Sequence, residues 1–156
     1  HAAEIAVDGG GLRRLYLAIV VDLYARRIIG WAFSPAPDTT LTLDALQQAM
    51  EARKPTAGLM FHSDQGCQYT STAFVERLKQ LGITQSMSRR GNCWDNAVVE
   101  RIFRTLKHEW MEATPYRDHH HARADLLPFL ASWYNHRRLH SAIGMRPPAI
   151  VDAMAA

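Results

Sequence analysis

Two carboxylates stand out by the residues around them. Asp64 lies in His62-Ser63-Asp64-Gln65-Gly66-Cys67-Gln68-Tyr69, directly after the short apolar run Gly58 to Phe61. Polar groups there interrupt what should be a buried strand, and Gly66 permits a sharp turn beside the acid. In open mixed sheets chemistry gathers where strands end and loops leave the sheet. The ordinary alternative is an aspartate that caps a turn. Glu100 follows after thirty-five intervening residues (65 to 99), within a helical pattern from Asp95 to about Glu112. Val98, Val99, Ile102, Phe103, Leu106 and Trp110 form its apolar stripe, so Glu100, Arg104, Lys107 and His108 share the opposite face. An acid is thus followed by bases one and two turns along. The ordinary alternative is an i,i+4 pair between Glu100 and Arg104 on a solvated face.

Charge distribution points the same bases at an anionic partner. The chain has 18 Lys/Arg against 15 Asp/Glu, a modest +3. From Arg89 to Arg146, however, ten Lys/Arg face six Asp/Glu, with six of the eight histidines, which is a nucleic-acid footprint in outline. Arg89 and Arg90 flank a loop before the Glu100 helix, where they can face DNA phosphates. Arg137, Arg138 and His140 form a second basic group, and arginines beside His136 and His140 disfavour a zinc site there. The run His119-His120-His121 reads as polar surface. The tryptophans read as core, except Trp94 in the loop.

The elements that must hold these residues follow from patterning. Three β-rich stretches, around Ile5 to Val7, Leu15 to Val21 and Arg27 to Phe33, are separated by the glycine turn Asp8 to Gly11 and the tight link Leu23 to Arg26. They predict an antiparallel meander. A helix over Thr40 to Ala52 follows, capped by Asp38 or Thr39, then a strand at Gly58 to Phe61. A helix from Ser71 to Leu81 stops at Gly82, a fifth strand covers Ile83 to Met87, and Asp95 caps the Glu100 helix. A last helix, about Ala122 to His136, precedes a tail in which Met145 to Pro148 reads as extended. This order predicts an α/β fold of the RNase H-like type, a mixed five-stranded sheet with helices on both faces, as one domain over residues 1–156.

At 156 residues and 47% apolar content the chain can fill one core, and no apolar run reaches the length of a membrane span. The start, His1-Ala2-Ala3-Glu4, has neither an initiator Met nor a signal-peptide pattern, which predicts truncation upstream. Cys67 and Cys93 are too few for a disulfide framework, so a reducing, cytoplasmic setting is expected.

The spacing of Asp64 and Glu100 resembles that of the DDE triad in bacterial insertion-sequence transposases and retroviral integrases. Four blocks carry the resemblance: Leu15 to Trp31, His62 to Ser71, Gly91 to Glu100, and Tyr134-Asn135-His136-Arg137-Arg138-Leu139-His140 with Gly144 and Pro147. The Asn-rich lead into the helix and the closing Arg-x-x-His look like the branch whose transposase is made from two overlapping reading frames. The resemblance implies metal-dependent DNA cleavage and strand transfer, with two Mg²⁺ (or Mn²⁺) ions held by carboxylates including Asp64 and Glu100. It also implies DNA as partner, a multimer on DNA, a companion product of the first frame, and a bacterial, nucleoid-associated location. Arg104 and Lys107 fall where family members place bases against the DNA end, positioning phosphate rather than reading sequence.

One part of the pattern is missing. The family's first catalytic Asp lies on the first strand in a Trp-x-x-Asp segment that this sequence lacks. Counting back without a gap puts that position at Glu4; allowing a longer glycine turn puts it at His1. Topology argues against Asp22 as a substitute and favours a turn role for it, since an antiparallel second strand carries it to the opposite edge, roughly 20 Å from Asp64. A non-catalytic DNA-binding remnant of the same family is the alternative expectation.

Overall fold

The first three strands are rich in aliphatic and β-branched residues, and a four-residue link, Leu23 to Arg26, turns the second back onto the third. The computed structural model describes residues 2–5, 14–55, 58–88, 97–111 and 116–155, the first stretch by its backbone. Strand β1 (Ala2–Ile5) pairs antiparallel with β2 (Leu15–Asp22), Glu4 opposite Tyr16, and β2 pairs antiparallel with β3 (Arg27–Ser34). The expected glycine turn lies outside the described residues. In the β2–β3 link, Asp22 Oδ1 accepts the backbone N–H groups of Tyr24 (2.9 Å) and Ala25 (3.1 Å), and Arg26 takes a left-handed φ of 60°. Asp22 is therefore a turn residue, as its topology requires.

Helix α1 (Thr39–Arg53) is capped by Asp38, whose Oδ1 accepts the Leu41 N–H at 3.0 Å. It lies so close on β3 that a Cβ at Gly30 would collide with the Ala45 carbonyl and stand 2.8 Å from Ala49 Cβ. Strand β4 (Met60–Ser63) runs parallel to β5 (Thr84–Met87), pairing Met60 with Thr84 and Ser63 with Met87. The pattern placed β4 two residues earlier. His62 and Ser63 belong to the strand despite their polarity, because His62 Nδ1 meets Ser86 Oγ across it at 3.1 Å. Between the two strands lie an unanticipated helical turn, α2 (Cys67–Thr70), and α3 (Thr72–Gln80), capped by Ser71.

Five strands occur in the expected order along the chain, antiparallel among the first three and parallel between the last two. Among the described residues, though, their hydrogen bonds make a three-stranded antiparallel sheet and a separate two-stranded parallel one, not a single five-stranded sheet. No ladder joins the four-residue strands β1 and β4.

Helix α4 (Ala97–Thr105) continues into a π turn, Leu106–Trp110, closed by Met111 N–H to the Leu106 carbonyl at 2.9 Å. The regular helix expected to Glu112 thus widens after Thr105; Asp95 and Glu112 lie outside the described residues. Helix α5 (His119–Pro128) starts three residues earlier than expected because Asp118 caps it, its Oδ1 2.7 Å from the His121 N–H. Pro128 disturbs the following turn, which widens to a π turn, Phe129–Trp133, before α6 (Tyr134–His136). Phe129 N–H bonds back to Leu126, and the Asp125 carbonyl accepts Trp110 Nε1 at 3.0 Å. Of the segment expected to be extended, Met145 to Pro147 are non-helical, with Arg146 bridged to His140, and only Pro148 departs from it, opening α7 (Pro148–Ala153) at a position where its missing N–H costs nothing.

The main core packs Leu15, Leu17, Ile19 and Ile28 of the meander against Ile102, Phe103 and Leu106, with Phe129, Leu130 and Tyr134 closing it. A second cluster, with Leu46, Tyr69, Phe74, Leu78 and Ile83, lies beneath the Asp64 turn. Trp31, Trp110 and Trp133 pack against the main core, as expected; Trp94 is outside the described residues. No helix is long and apolar enough to cross a membrane among the described residues.

Candidate active site

Asp64 is the first residue after β4, half-buried, in a turn built from its own neighbours. Its Oδ1 accepts the Gly66 N–H at 2.9 Å. A Cβ on Gly66 would lie 2.9 Å from that same oxygen and 3.0 Å from Gln68 Oε1, so glycine is what lets the carboxylate sit there. The strand end is clamped from β5. Ser88 N–H and Oγ both bond to the Ser63 carbonyl (2.9 and 3.2 Å), and Gln65 Nε2 reaches the Ser88 carbonyl at 3.2 Å. Ser63 Oγ donates to the Asp64 carbonyl at 3.0 Å. Ser63 and Ser88 are buried, and each is satisfied by this network. Below it Tyr69 packs edge-on against Phe74; burial first, then the negative charge of Asp64, raises its phenol well above the ordinary value. Ser88 and Tyr69 were not anticipated as supports of the site. Their only sequence signal was polarity at a strand end.

Glu100 sits in the first turn of α4, exposed, with no ion-pair or hydrogen-bond partner among the described residues. The same holds for Arg104 and Lys107, also exposed. No Glu100–Arg104 pair forms. Ile102, Phe103 and Leu106 are buried and Val98 and Val99 partly so, which fixes this face outward as the stripe required. Glu4 lies in β1 by its backbone. His1, Arg89 and Arg90 lie outside the described residues.

The tail contributes a second basic region. Arg137 is exposed, whereas Arg138 pairs with Glu109 (2.7 Å). His140 stacks edge-on against Tyr134 with ring centroids 4.9 Å apart. Burial, then the charges of Arg138, Arg26 and Arg101, pushes the His140 imidazole down to about 4. His136 instead meets the Ser132 carbonyl, so the two histidines do not converge. Asn135, buried, makes two hydrogen bonds with Ile28, accepting its N–H at 3.0 Å and donating to its carbonyl at 2.9 Å. It docks α6 on β3.

As donors, Asp64 and Glu100 offer the hard oxygen ligands that Mg²⁺ or Mn²⁺ prefers. No cluster of three or more His, Cys, Asp or Glu side chains able to hold a metal is found among the described residues. The donor chemistry fits a divalent ion, with at least one further ligand needed.

A parallel strand pair delivering an acid, beside a helix displaying a second, on a three-stranded meander, defines an integrase-type catalytic core. The chain belongs to the Integrase core domain family: that family matches residues 3–93, and a second family of the same description matches residues 81–148. Over 134 residues it is 37% identical to the transposase for insertion sequence element IS904 of Lactococcus lactis subsp. lactis (strain IL1403), covering 86% of this chain and 53% of that protein. It is 39% identical over 134 residues to transposase InsF for insertion sequence IS3A of Escherichia coli (strain K12), covering 86% and 46%. The chain thus spans about half the length of the curated relatives it matches. In fold it resembles the HTLV-2 integrase catalytic core domain solved in complex with magnesium in a trimeric form. The TM-score is 0.63 at 15% identity, over 97% of this chain and 91% of that one. The RNase H-like class expected from element order is therefore the observed one.

Proposed function

We propose that residues 1–156 form one catalytic core of a DDE-type transposase that cleaves DNA strands and joins them to new phosphates. The observation that carries it is the placement of Asp64 at the end of β4, and of an exposed Glu100 with no partner among the described residues on α4, within an integrase-family chain. Asp64 and Glu100 would hold divalent metal, two ions in the active complex, with Glu4 on β1 the remaining carboxylate candidate. Bound there, the metal would lower the pKa of an attacking water and stabilise the leaving oxygen. Asp64, held by Gly66 N–H, keeps one carboxylate oxygen oriented before DNA arrives. Arg104 and Lys107, outward beside Glu100, would fix the DNA backbone by its phosphates, as would Arg89, Arg90, Arg137, Arg138 and His140. DNA ends and target DNA are the proposed substrates, with assembly into a multimer on DNA and a companion first-frame product as partners. The proposed location is the bacterial cytoplasm, at the nucleoid.

The test is Mn²⁺-dependent nicking of labelled terminal-repeat DNA by this chain, Glu100→Gln and His1→Asp. Nicking that Glu100→Gln abolishes supports an active core with Glu4 in the first position. Binding without nicking, rescued by His1→Asp, places the first ligand at His1 and makes the chain a non-catalytic binder. Cleavage unchanged in Glu100→Gln refutes the assignment.

A further inference from the structure

Arg26 and Arg27 are adjacent in the same turn and meet opposite fates. Arg27 pairs with Asp152 of α7, and Arg53 joins that cluster through Asp152 (2.5 Å) and Asp22 (2.9 Å). Arg26, half-buried, has no acidic partner among the described residues, nor has Arg101, the residue after Glu100 on α4. Both line a cleft of about 250 Å³ with Arg138, Tyr134, His140 and Ser141. Twelve residues line it, and none is a carboxylate.

Three guanidinium groups around one partly enclosed space repel one another, and reduced solvent access strengthens that repulsion. Among the described residues only Arg138 is neutralised, from outside the cleft, by Glu109. Two side chains that line the cleft also carry buried atoms with no hydrogen-bond partner among the described residues, His140 Nε2 and Arg138 Nε. With no carboxylate lining the cleft, an anion entering it would meet Arg26 and Arg101 without a competing acid among the described residues. Guanidinium forks match the oxygens of a phosphate in geometry as well as charge.

We propose that this cleft, formed by Arg26, Arg101, Arg138 and His140, is a phosphate-binding pocket that takes a backbone phosphate of bound DNA. The β2–β3 turn, the catalytic helix and the C-terminal tail each contribute to it, so a phosphate there ties all three together. Arg101 adjoins Glu100 in sequence, which places the pocket on the helix that carries that acid. The choice of DNA as the phosphate's source rests on the function proposed above; the phosphate chemistry does not.

The test uses the 156-residue chain without divalent metal, so that failure of cleavage does not enter. Inorganic phosphate is titrated while the ring resonances of His140 and Tyr134 are followed by NMR, and a fluorescein-labelled duplex is titrated across a range of salt. Arg26→Gln with Arg101→Gln is compared with an equal charge change elsewhere, Arg77→Gln with Arg117→Gln. The expected result is a phosphate-induced shift of both rings, lost in the cleft variant. Duplex affinity should fall severalfold more than in the control, and the salt slope should flatten by about 0.9 for each DNA phosphate that is no longer neutralised. Should the cleft variant unfold, Ser141→Asp supplies an internal carboxylate and should block the phosphate shifts on a folded chain. No ring response in the native chain, with duplex binding no weaker than in the control, overturns the pocket. A ring response with duplex binding equal to the control keeps the phosphate site and overturns DNA as its source.

Discussion

The two carboxylates are held by different physics. Asp64 is fixed by hydrogen bonds within a few residues and across to β5: Gly66 N–H on its side chain, and Ser88 and Gln65 on the strand end. Glu100 touches no partner among the described residues and is placed only because Ile102, Phe103 and Leu106 bury the other side of α4. One acid depends on local polar geometry and the other on a distant apolar core. The two should therefore fail under different perturbations.

The largest effect is expected on the Glu100 side. Phe103→Ala removes a buried ring from the face that anchors α4 and should cost about 3–5 kcal/mol in urea unfolding, with cleavage lost together with structure. A loss under about 1 kcal/mol would mean that α4 is held by something other than this core. Gly66→Ala attacks the Asp64 side without touching a core. The added methyl presses on Asp64 Oδ1, so cleavage should drop on the order of 10–100-fold, the cost of disturbing a group that orients a ligand, while the melting temperature scarcely moves. Equal loss of stability and activity would show the turn to be merely structural. Ser88→Ala tests the clamp: it removes one of two hydrogen bonds to the Ser63 carbonyl and should cost about 1 kcal/mol. Cleavage should weaken more than in an equally destabilised variant of the main core, measured side by side.

The smallest effect concerns pH. His140 is neutral in the folded chain because burial and three arginines push it down to about 4, below its ordinary 6.5. The unfolded chain takes up that proton first as pH falls. Stability is therefore fully present above about 6.5 and declines as pH falls through about 4. Urea titrations at neutral and mildly acid pH should show His140→Gln flattening that decline; an unchanged decline would assign it to other groups.

Much of this was legible along the chain, for local reasons. Apolar, β-rich stretches between turn signals marked the meander, Asp38, Ser71 and Gly82 punctuated the helices, and the apolar stripe pointed Glu100 outward, because these features depend on near neighbours. What sequence patterning missed depended on partners far away. Strand β4 extends into His62 and Ser63 because Ser86 and Ser88 satisfy them from β5. After Pro147 the chain turns helical, and Asp152 of α7 meets Arg27 and Arg53, residues about a hundred positions earlier. Burial raises the carboxyl of Asp152, and hydrogen bonds from those two arginines outweigh it, holding the group below its usual range.

The spacing of Asp64 and Glu100, the order of elements and the integrase resemblance were set by the linear sequence, since periodicity, turns and motif spacing need no tertiary contact. Whether strands join in one sheet or two, which arginine finds an acid, and how firmly a carboxylate is oriented were decided only in three dimensions. Arg26 and Arg27 are indistinguishable as letters in a row. The packing of α6 and α7 on β3 gives one of them Asp152 and leaves the other facing a cleft without a carboxylate.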